Sequence, residues 1–390
     1  MRILFSSLPL PGHSYPLIPL ALAARDAGHD VQFATGQSFH RSLSAFGLDA
    51  VSAGTAISDA FAEANGGPVD LSSVTPERQV ELERLAFAEI LPRSFMADLG
   101  PVLYQFKPGL VVHEIDNTGA LFAARLAGIP GVSHSIGRVY ENISIEATVS
   151  GLAREVGVEL PVPATRGGGN PLLDIYPSSL QGKEVVAMAS RIALRPVPMT
   201  APGQPPSWVT GRDRDGGRPL VYLTFGAVFS GMPALEQAIK GLAAMDVDVL
   251  VAVGPTFDIQ SLGEVGDSVR IETSEPQAEL LSLVDLVVHH GGTGLTLGAL
   301  ANGVPQLVLP QGADMFSNAD MFCNADAVAT GGVGAQLPAE DQTAEAIARR
   351  VSELLSDDET RAAARTVAAE IAEMPSPEAT VSVLTEIASR

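Results

Sequence analysis

Short apolar runs alternate with stretches of helical periodicity from the start of the chain. Residues 3–7 and 31–35 are apolar runs, and residues 16–27 between them place leucine and alanine on one helical face. Short apolar runs bounded by turn residues predict buried strands, and strands that alternate with helices predict a parallel sheet. The chain therefore opens with the strand–helix–strand unit of an α/β fold.

This unit recurs on both sides of a proline-rich segment. Strands are predicted at 110–112 and 131–133, with a helix at 120–127 between them. Five prolines in residues 196–206 stiffen the chain and disfavour helix and sheet pairing. A new apolar run follows at 219–225, so we expect two α/β domains.

The second half continues the alternation to a helical tail. Strands are predicted at 249–253, 286–289 and 306–309, and residues 339–373 carry Ala, Glu and Arg at helical spacing. Asp357 interrupts this spacing at a position where it would cap a new helix.

These patterns predict four segments. An N-terminal domain spans residues 1–200, a linker spans 201–217, and a second domain spans 218–373. A last helix in residues 374–390 is expected to pack back on the first domain.

Composition narrows the class of protein. The 390 residues are 46% hydrophobic, and 24 basic against 45 acidic residues give a net charge of −21. Such a surface repels phosphate backbones and anionic lipid, so we expect neither nucleic acid nor membrane as a partner. The single cysteine, Cys323, excludes an internal disulfide, and no Cys/His set has structural-zinc spacing. A cytoplasmic protein is expected.

His13 is the first candidate for chemistry. It lies in a Pro/Gly-rich loop after the first predicted strand, at the sheet edge where open α/β folds bind ligands. An imidazole exchanges protons near neutral pH. Glu114 and Asp116 follow another strand, so either carboxylate could orient it, and a simple loop histidine is the alternative.

A second candidate is the sequence His289-His290-Gly291-Gly292-Thr293-Gly294, which ends a strand and opens a helix. Glycines at such a junction let backbone N–H groups and the positive helix end approach an anion. Adjacent histidines on a strand point to opposite faces, so one is expected to face a ligand and the other the core.

Other motifs are incomplete. Residues 12–16 lack the second glycine of a hydrolase nucleophile elbow, and Gly182-Lys183-Glu184 is not a P-loop. Asp246-Val247-Asp248 reads as a solvated strand entry rather than a metal site. The glycine runs at 167–169 and 331–334 are interpreted as loops.

Taken together, the motifs resemble the bacterial natural-product branch of family 1 glycosyltransferases over the whole chain. That family has the GT-B fold, in which two Rossmann-like α/β domains face each other across a cleft. Its N-terminal domain binds the acceptor and its C-terminal domain binds a nucleotide sugar. The resemblance rests on five motifs in family order: Pro11-Gly12-His13, Leu223-Thr224-Phe225-Gly226-Ala227, Pro276-Gln277-Ala278-Glu279-Leu280-Leu281, the run from Val287 to Gly294, and Gly303-Val304-Pro305-Gln306 with Pro310-Gln311-Gly312-Ala313-Asp314-Met315-Phe316.

The resemblance implies a role for each matching residue. His13 matches the general base, Glu114 matches the acidic group that orients it, with Asp116 still possible, and His289 matches the residue that meets the diphosphate. The implied donor site is Thr224, Gly226, Ala227, Ser274, Gln277, His289, Gly291, Gly292, Thr293, Gly294, Leu297, Asp314 and Met315.

Three of these positions depart from the family pattern. Ser274 stands where an aromatic residue often stacks on the base, and Met315 stands where glutamine usually binds sugar hydroxyls. A thioether packs against C–H groups but donates no hydrogen bond, which favours a deoxysugar. Leu297 replaces the glutamate with which UDP-sugar-dependent relatives bind the ribose, which favours TDP.

The resemblance therefore implies an inverting, metal-independent transferase without a cofactor, acting as a monomer or homodimer. It would move a (deoxy)sugar from a TDP-sugar to a hydroxyl of a small natural-product aglycone, as in antibiotic biosynthesis. The alternatives are a UDP-sugar-dependent transferase, an epimerase or hydrolase of nucleotide sugars, and a non-enzymatic activator of a partner transferase. The acceptor is expected to contact the variable stretches 55–95 and 136–149.

Overall fold

The structure is a computed structural model of the 390-residue chain. It describes residues 1–140, 143–161, 166–199, 204–213, 217–226, 233–254, 257–262, 265–273, 277–311 and 319–389. These residues form two compact units. The first comprises Met1–Tyr176, Gly182–Arg195 and Met374–Arg390, and the second comprises Pro177–Gln181 and Pro196–Glu373.

The first unit is built on a parallel sheet with seven described strands. Their order across the sheet is β3-β2-β1-β4-β5-β6-β7. The central strands β1 and β4 pair in register, with Ser6 opposite His113. The strands are β1 (Arg2–Ser6), β2 (Asp30–Thr35), β3 (Asp49–Ser52), β4 (Leu110–Glu114), β5 (Gly131–His134), β6 (Leu172–Asp174) and β7 (Arg191–Ala193).

The second unit contains a parallel sheet with six described strands. Their order is β10-β9-β8-β11-β12-β13. The central pair is β8 and β11, with Thr224 opposite His289. The strands are β8 (Leu220–Thr224), β9 (Asp248–Ala252), β10 (Val269–Glu272), β11 (Leu286–His289), β12 (Gln306–Val308) and β13 (Gly334–Gln336).

Helices connect the parallel strands in both units, as the predicted alternation requires. Among the described helices, none combines the length and the hydrophobicity needed to span a bilayer. The α-helices are α1 (Pro11–Ser14), α2 (Ile18–Asp26), α3 (His40–Ala45), α4 (Ile57–Asn65), α5 (Pro76–Leu85), α6 (Leu91–Phe106), α7 (Thr118–Leu126), α8 (Ile143–Val156), α9 (Lys183–Val186), α10 (Ser207–Thr210), α11 (Pro233–Ala243), α12 (Gln277–Leu280), α13 (Thr293–Ala301), α14 (Ala319–Thr330), α15 (Ala344–Ser356), α16 (Asp358–Glu373) and α17 (Pro377–Ala388).

Each sheet buries its strands under helices. In the first unit, Leu4 and Val111 of the central strands pack with side chains of α6 and α7. In the second unit, one face of the sheet packs against α11 and α15, and the other face packs against α13. Because helices cover both faces of each sheet, the strands are continuous apolar runs in the sequence. The predicted fold class of two parallel α/β domains is confirmed.

The segment around His13 is helical, where we predicted a loop followed by one helix at 16–27. Residues 11–26 form α1, a 3-10 turn at Tyr15–Leu17 and then α2. Pro11 stands in the first turn of α1, where its fixed φ and missing N–H suit a helix start. Further prolines begin each later segment, which divides the predicted helix into short pieces.

Two further local predictions have opposite outcomes. Asp357 caps α16 as expected, because its Oδ1 accepts from the backbone N–H of Glu359 at 2.9 Å and of Thr360 at 3.2 Å. The interpretation of residues 331–334 as a loop is wrong at Gly334, which begins β13. A Cβ at Gly334 would lie 2.0 Å from the Gln306 carbonyl oxygen, so this close approach of the strands requires glycine.

The described parts of the predicted linker, at 204–213 and 217, belong to the second unit and include α10. The C-terminal residues from Met374 onwards belong to the first unit, where α17 packs against α2.

Candidate functional site

His13 and Glu114 meet at the carboxyl edge of the first sheet. The Nδ1 atom of His13 lies 3.0 Å from Oε1 of Glu114, and the Glu114 side chain is fully buried whereas that of His13 is 18% exposed. Glu114 also accepts from the backbone N–H of Leu8 at 3.3 Å and of Asp116 at 2.8 Å. These bonds fix the carboxylate, and of the two acidic candidates it is Glu114 that holds the His13 ring.

Asp116 has a different partner. Its carboxylate contacts the guanidinium of Arg166, and both side chains are mostly buried. Arg166 also donates to the Tyr140 carbonyl at 3.3 Å, and its guanidinium carbon lies 4.2 Å from the centre of the Tyr140 ring. Burial opposes the charge of Arg166, but the nearby carboxylates, Asp116 first, raise its pKa above the usual value.

His13, Glu114 and Asp116 also offer ligand atoms that lie within 4.8 Å of one another, a spacing that a metal ion could bridge. Both Glu114 oxygens accept hydrogen bonds, however, and Asp116 is paired with Arg166. The chemistry of this set therefore fits an oriented imidazole better than a metal centre.

The second sheet presents a turn between β11 and α13 at its own carboxyl edge. The first residue before α13 is Gly292, which has no side chain with which to cap the first-turn N–H groups. Gly294 in that first turn is exposed. A helix start of this kind attracts an anion such as a phosphate.

His290 lies against this turn. A Cβ at Gly292 would lie 2.7 Å from its Nε2 atom, and a Cβ at Gly226 would lie 3.6 Å from its Cε1 atom. Burial lowers the pKa of His290 to about 4, so the ring is neutral at physiological pH. The hydroxyl of Thr224 donates to the Ala252 carbonyl and accepts from Gly226 N–H, so Thr224 shapes the facing turn.

His289 is placed in the core, which argues against the diphosphate contact that the resemblance implied for it. Its side chain is fully buried, its Nε2 lies 2.9 Å from Oε1 of Gln306, and its Nδ1 accepts from Gly291 N–H at 3.1 Å. Burial lowers its pKa to about 3. Of the adjacent histidines, His290 is the less buried and lies against Gly292, next to the start of α13.

Asn324 of α14 fastens the same turn. Its Nδ2 donates to the Gly291 carbonyl at 2.8 Å and to the Thr293 hydroxyl at 3.1 Å. Gly291 has φ +103°, and a Cβ there would lie 2.9 Å from the Met321 carbonyl oxygen. Glycine and asparagine together set where α13 begins.

The remaining predicted donor residues divide into two groups. Gln277 begins α12 and is half-buried. Leu297 is 4% exposed in α13 and has little surface to offer a ribose, so its burial favours a role in packing this helix over a direct contact with the ribose. The predicted residues that lie outside the described part of the chain are Ala227, Ser274, Asp314 and Met315.

Sequence reasoning missed Arg166, Tyr140 and Asn324. Arg166 precedes the glycine run at 167–169, where no periodicity marks a side chain as buried. Asn324 lies within a helix, and nothing in the sequence around it distinguishes it from the other helical residues. Its hydrogen bonds to Gly291 and Thr293 span about thirty residues of sequence. Contacts of this range carry no local signal.

Comparison with known proteins extends this description. Residues 22–213 match the family described as erythromycin biosynthesis protein CIII-like, N-terminal domain, and residues 236–387 match the corresponding C-terminal domain. The chain is 31% identical to the L-demethylnoviosyl transferase of Streptomyces niveus, over 97% of the chain and 96% of that protein. It is 30% identical to the elloramycin glycosyltransferase ElmGT of Streptomyces olivaceus, over 97% and 95%.

A solved structure shows the same fold. The glycosyltransferase SsfS6 of Streptomyces sp. SF2575, complexed with thymidine diphosphate, superposes with a TM-score of 0.77. It is 25% identical, and the match covers 99% of each chain. The fold is therefore GT-B, as the resemblance implied.

Proposed function

The chain belongs to the bacterial natural-product glycosyltransferases, and from this premise we propose that it transfers a sugar from a TDP-sugar to a hydroxyl of a small-molecule aglycone. The observation that carries the proposal is the hydrogen bond of 3.0 Å between His13 and Glu114. A buried carboxylate that orients an imidazole at a sheet edge is an arrangement for general base catalysis.

The acceptor half of the reaction uses His13. An ionised carboxylate only accepts, so Glu114 selects the tautomer with hydrogen on Nδ1 and the basic lone pair on Nε2. Nε2 takes the proton of the acceptor hydroxyl as its oxygen attacks the anomeric carbon. The imidazolium that forms is stabilised by Glu114 and later returns its proton to solvent.

The donor half uses the turn before α13. The bond between the anomeric carbon and the diphosphate breaks on the face opposite to the attack, so a single displacement inverts the anomeric centre. The departing TDP gains negative charge, which the backbone N–H groups of Thr293 and Gly294 at the start of α13 would bind, with the His290 ring beside them. The residue proposed here for the diphosphate is His290 rather than His289.

A transfer assay tests this function. The purified chain, a TDP-sugar and a panel of aglycones should yield one TDP for each glycosylated aglycone, with inverted anomeric configuration by NMR. Free sugar formed at the same rate without aglycone would indicate a hydrolase. An isomerised donor with no TDP release would indicate an epimerase, and either result contradicts the proposal.

Nucleotide preference is a separate prediction. TDP should bind about five- to a hundredfold more tightly than UDP. Leu297 offers no carboxylate to a ribose 2′-hydroxyl, and a hydroxyl buried without a partner costs about 1–3 kcal/mol. Calorimetry with TDP, UDP and 2′-deoxy-UDP separates the causes, because 2′-deoxy-UDP lacks both the hydroxyl and the thymine methyl group. Binding of 2′-deoxy-UDP close to that of TDP assigns the preference to the hydroxyl, whereas UDP binding as tight as TDP contradicts it.

Other features stay predictions. The preference for a deoxysugar depends on Met315, which the structure does not describe. The same transfer assay also tests catalysis without metal or cofactor and the identity of the acceptor. Sizing of the purified protein determines the oligomeric state.

A further inference from the structure

Two carboxylates lie beside the one imidazole of the acceptor site. Glu114 is fully buried and bonded to His13, and Asp116 follows two residues later with its side chain 26% exposed. The carboxylates and the His13 ring offer atoms that lie within 4.8 Å of one another. Two unpaired carboxylates at this distance would strongly favour an imidazolium.

Arg166 neutralises the second carboxylate, that of Asp116. Its guanidinium contacts the Asp116 carboxylate, and its second amino group donates to the Tyr140 carbonyl at 3.3 Å. The Tyr140 ring stacks on the guanidinium, and the Arg166 side chain is only 14% exposed. Asp116 in turn donates its backbone N–H to Oε2 of Glu114 at 2.8 Å. Arg166 is thus linked through Asp116 to Glu114, the carboxylate that orients His13.

We propose that Arg166 is a positioning residue of the acceptor site. By pairing with Asp116, it prevents this second carboxylate from stabilising the protonated, imidazolium form of His13. The proposal rests on the function of His13 as the base. A base must be unprotonated before it can accept, so the pair extends the activity of the enzyme toward lower pH.

Two buried histidines lie near this edge and stay neutral in the relevant pH range. His134 of β5 is in register with Glu114, and its Nδ1 lies 2.6 Å from the Ser135 carbonyl. His113 of β4 bonds to Ser133 and Asn170. Burial lowers the pKa of both to about 4, so both are neutral above pH 5. The charged groups that these contacts place around His13 are Glu114 and Asp116, and Arg166 is paired with Asp116.

The sign of the expected shifts follows from these charges. In Arg166→Gln, Asp116 is left unpaired, the imidazolium is favoured, and the acid limb of the kcat/KM profile should move up by about one pH unit. In Asp116→Asn, the cation of Arg166 is left unpaired, and the limb should move down by a similar amount. The double variant should return close to the wild-type limb.

The experiment is the pH dependence of kcat/KM for these three variants and the wild type. Arg166→Lys keeps the charge and should restore the wild-type limb, and Arg154→Gln on the exposed side of α8 removes one charge elsewhere and should not move it. A purely structural role would lower the rate at every pH and leave the limb in place. Thermal unfolding and TDP binding report whether each variant is folded.

The outcomes separate this proposal from the proposed function. Limbs that stay in place, or that move in the same direction in Arg166→Gln and Asp116→Asn, overturn the role of Arg166. Should Arg166→Gln fail to fold, the downward shift in Asp116→Asn still decides the matter. If His13→Ala keeps its activity and its acid limb, the base itself is wrongly assigned. If His13→Ala is inactive but the acid limb of Arg166→Gln does not move, the role of Arg166 is refuted and that of His13 as the base stands.

Discussion

Replacing His13 by alanine is expected to lower kcat by about two to four orders of magnitude, which is the usual contribution of a positioned general base. An acceptor alcohol is too weakly acidic to attack the anomeric carbon without losing its proton. The affinity for TDP should stay at the wild-type value, because the proposed donor residues belong to the second unit and His13 belongs to the first. Steady-state kinetics and calorimetry with TDP measure the two quantities.

A matched control is available for this variant. His29 precedes β2 at the opposite edge of the same sheet and contacts the N-terminus, so His29→Ala should keep its transfer rate. Glu114→Gln keeps the shape of the buried side chain but removes its charge, so it should lose part of the rate. Near-native transfer by His13→Ala to an alcohol acceptor would exclude His13 as the base.

Replacing Gly291 by alanine is expected to weaken TDP binding at least tenfold and to lower the melting temperature. The φ of +103° costs an L-residue roughly 1–2 kcal/mol, and the added Cβ would lie 2.9 Å from the Met321 carbonyl oxygen. Relief of this overlap moves the turn or α14 and displaces the start of α13 from the position that Asn324 now fixes. Calorimetry with TDP and thermal unfolding report both effects.

Gly151→Ala is the control for this change. Gly151 lies in α8, and a Cβ there meets nothing within 4 Å outside its own helix and chain neighbours, so alanine should leave stability unchanged or raise it slightly. Wild-type TDP affinity in Gly291→Ala would show that the conformation of this glycine does not position the helix start for the donor.

The sequence was sufficient for the elements whose signals are local. Apolar runs predicted β1, β2, β4, β8, β9, β11 and β12 within one or two residues, because strands covered on both faces must be apolar throughout. Asp357 could be assigned as a cap because its hydrogen bonds lie within three residues. Gly334 could not be placed in a strand from the sequence. Glycine is required there by the close approach of the Gln306 carbonyl on the neighbouring β12, which is distant in sequence.

The site shows the same division between local and distant signals. The strand–turn–helix motif located the glycine turn, but the choice between His289 and His290 depended on Gln306, which fills the core beside His289. The first strand end located His13, but the choice of Glu114 over Asp116 required the position of Arg166, fifty residues further along the chain. Such pairings are set by tertiary packing and are invisible in a single sequence.

The most direct test of the base is the rate of transfer to a series of acceptors of increasing acidity. In the wild type, His13 removes the proton, so the rate should depend only weakly on the pKa of the acceptor. In His13→Ala the deficit should shrink as that pKa falls and should vanish for a phenol or thiol that is already ionised at the assay pH. A deficit of the same size for every acceptor, ionised ones included, would contradict proton removal by His13.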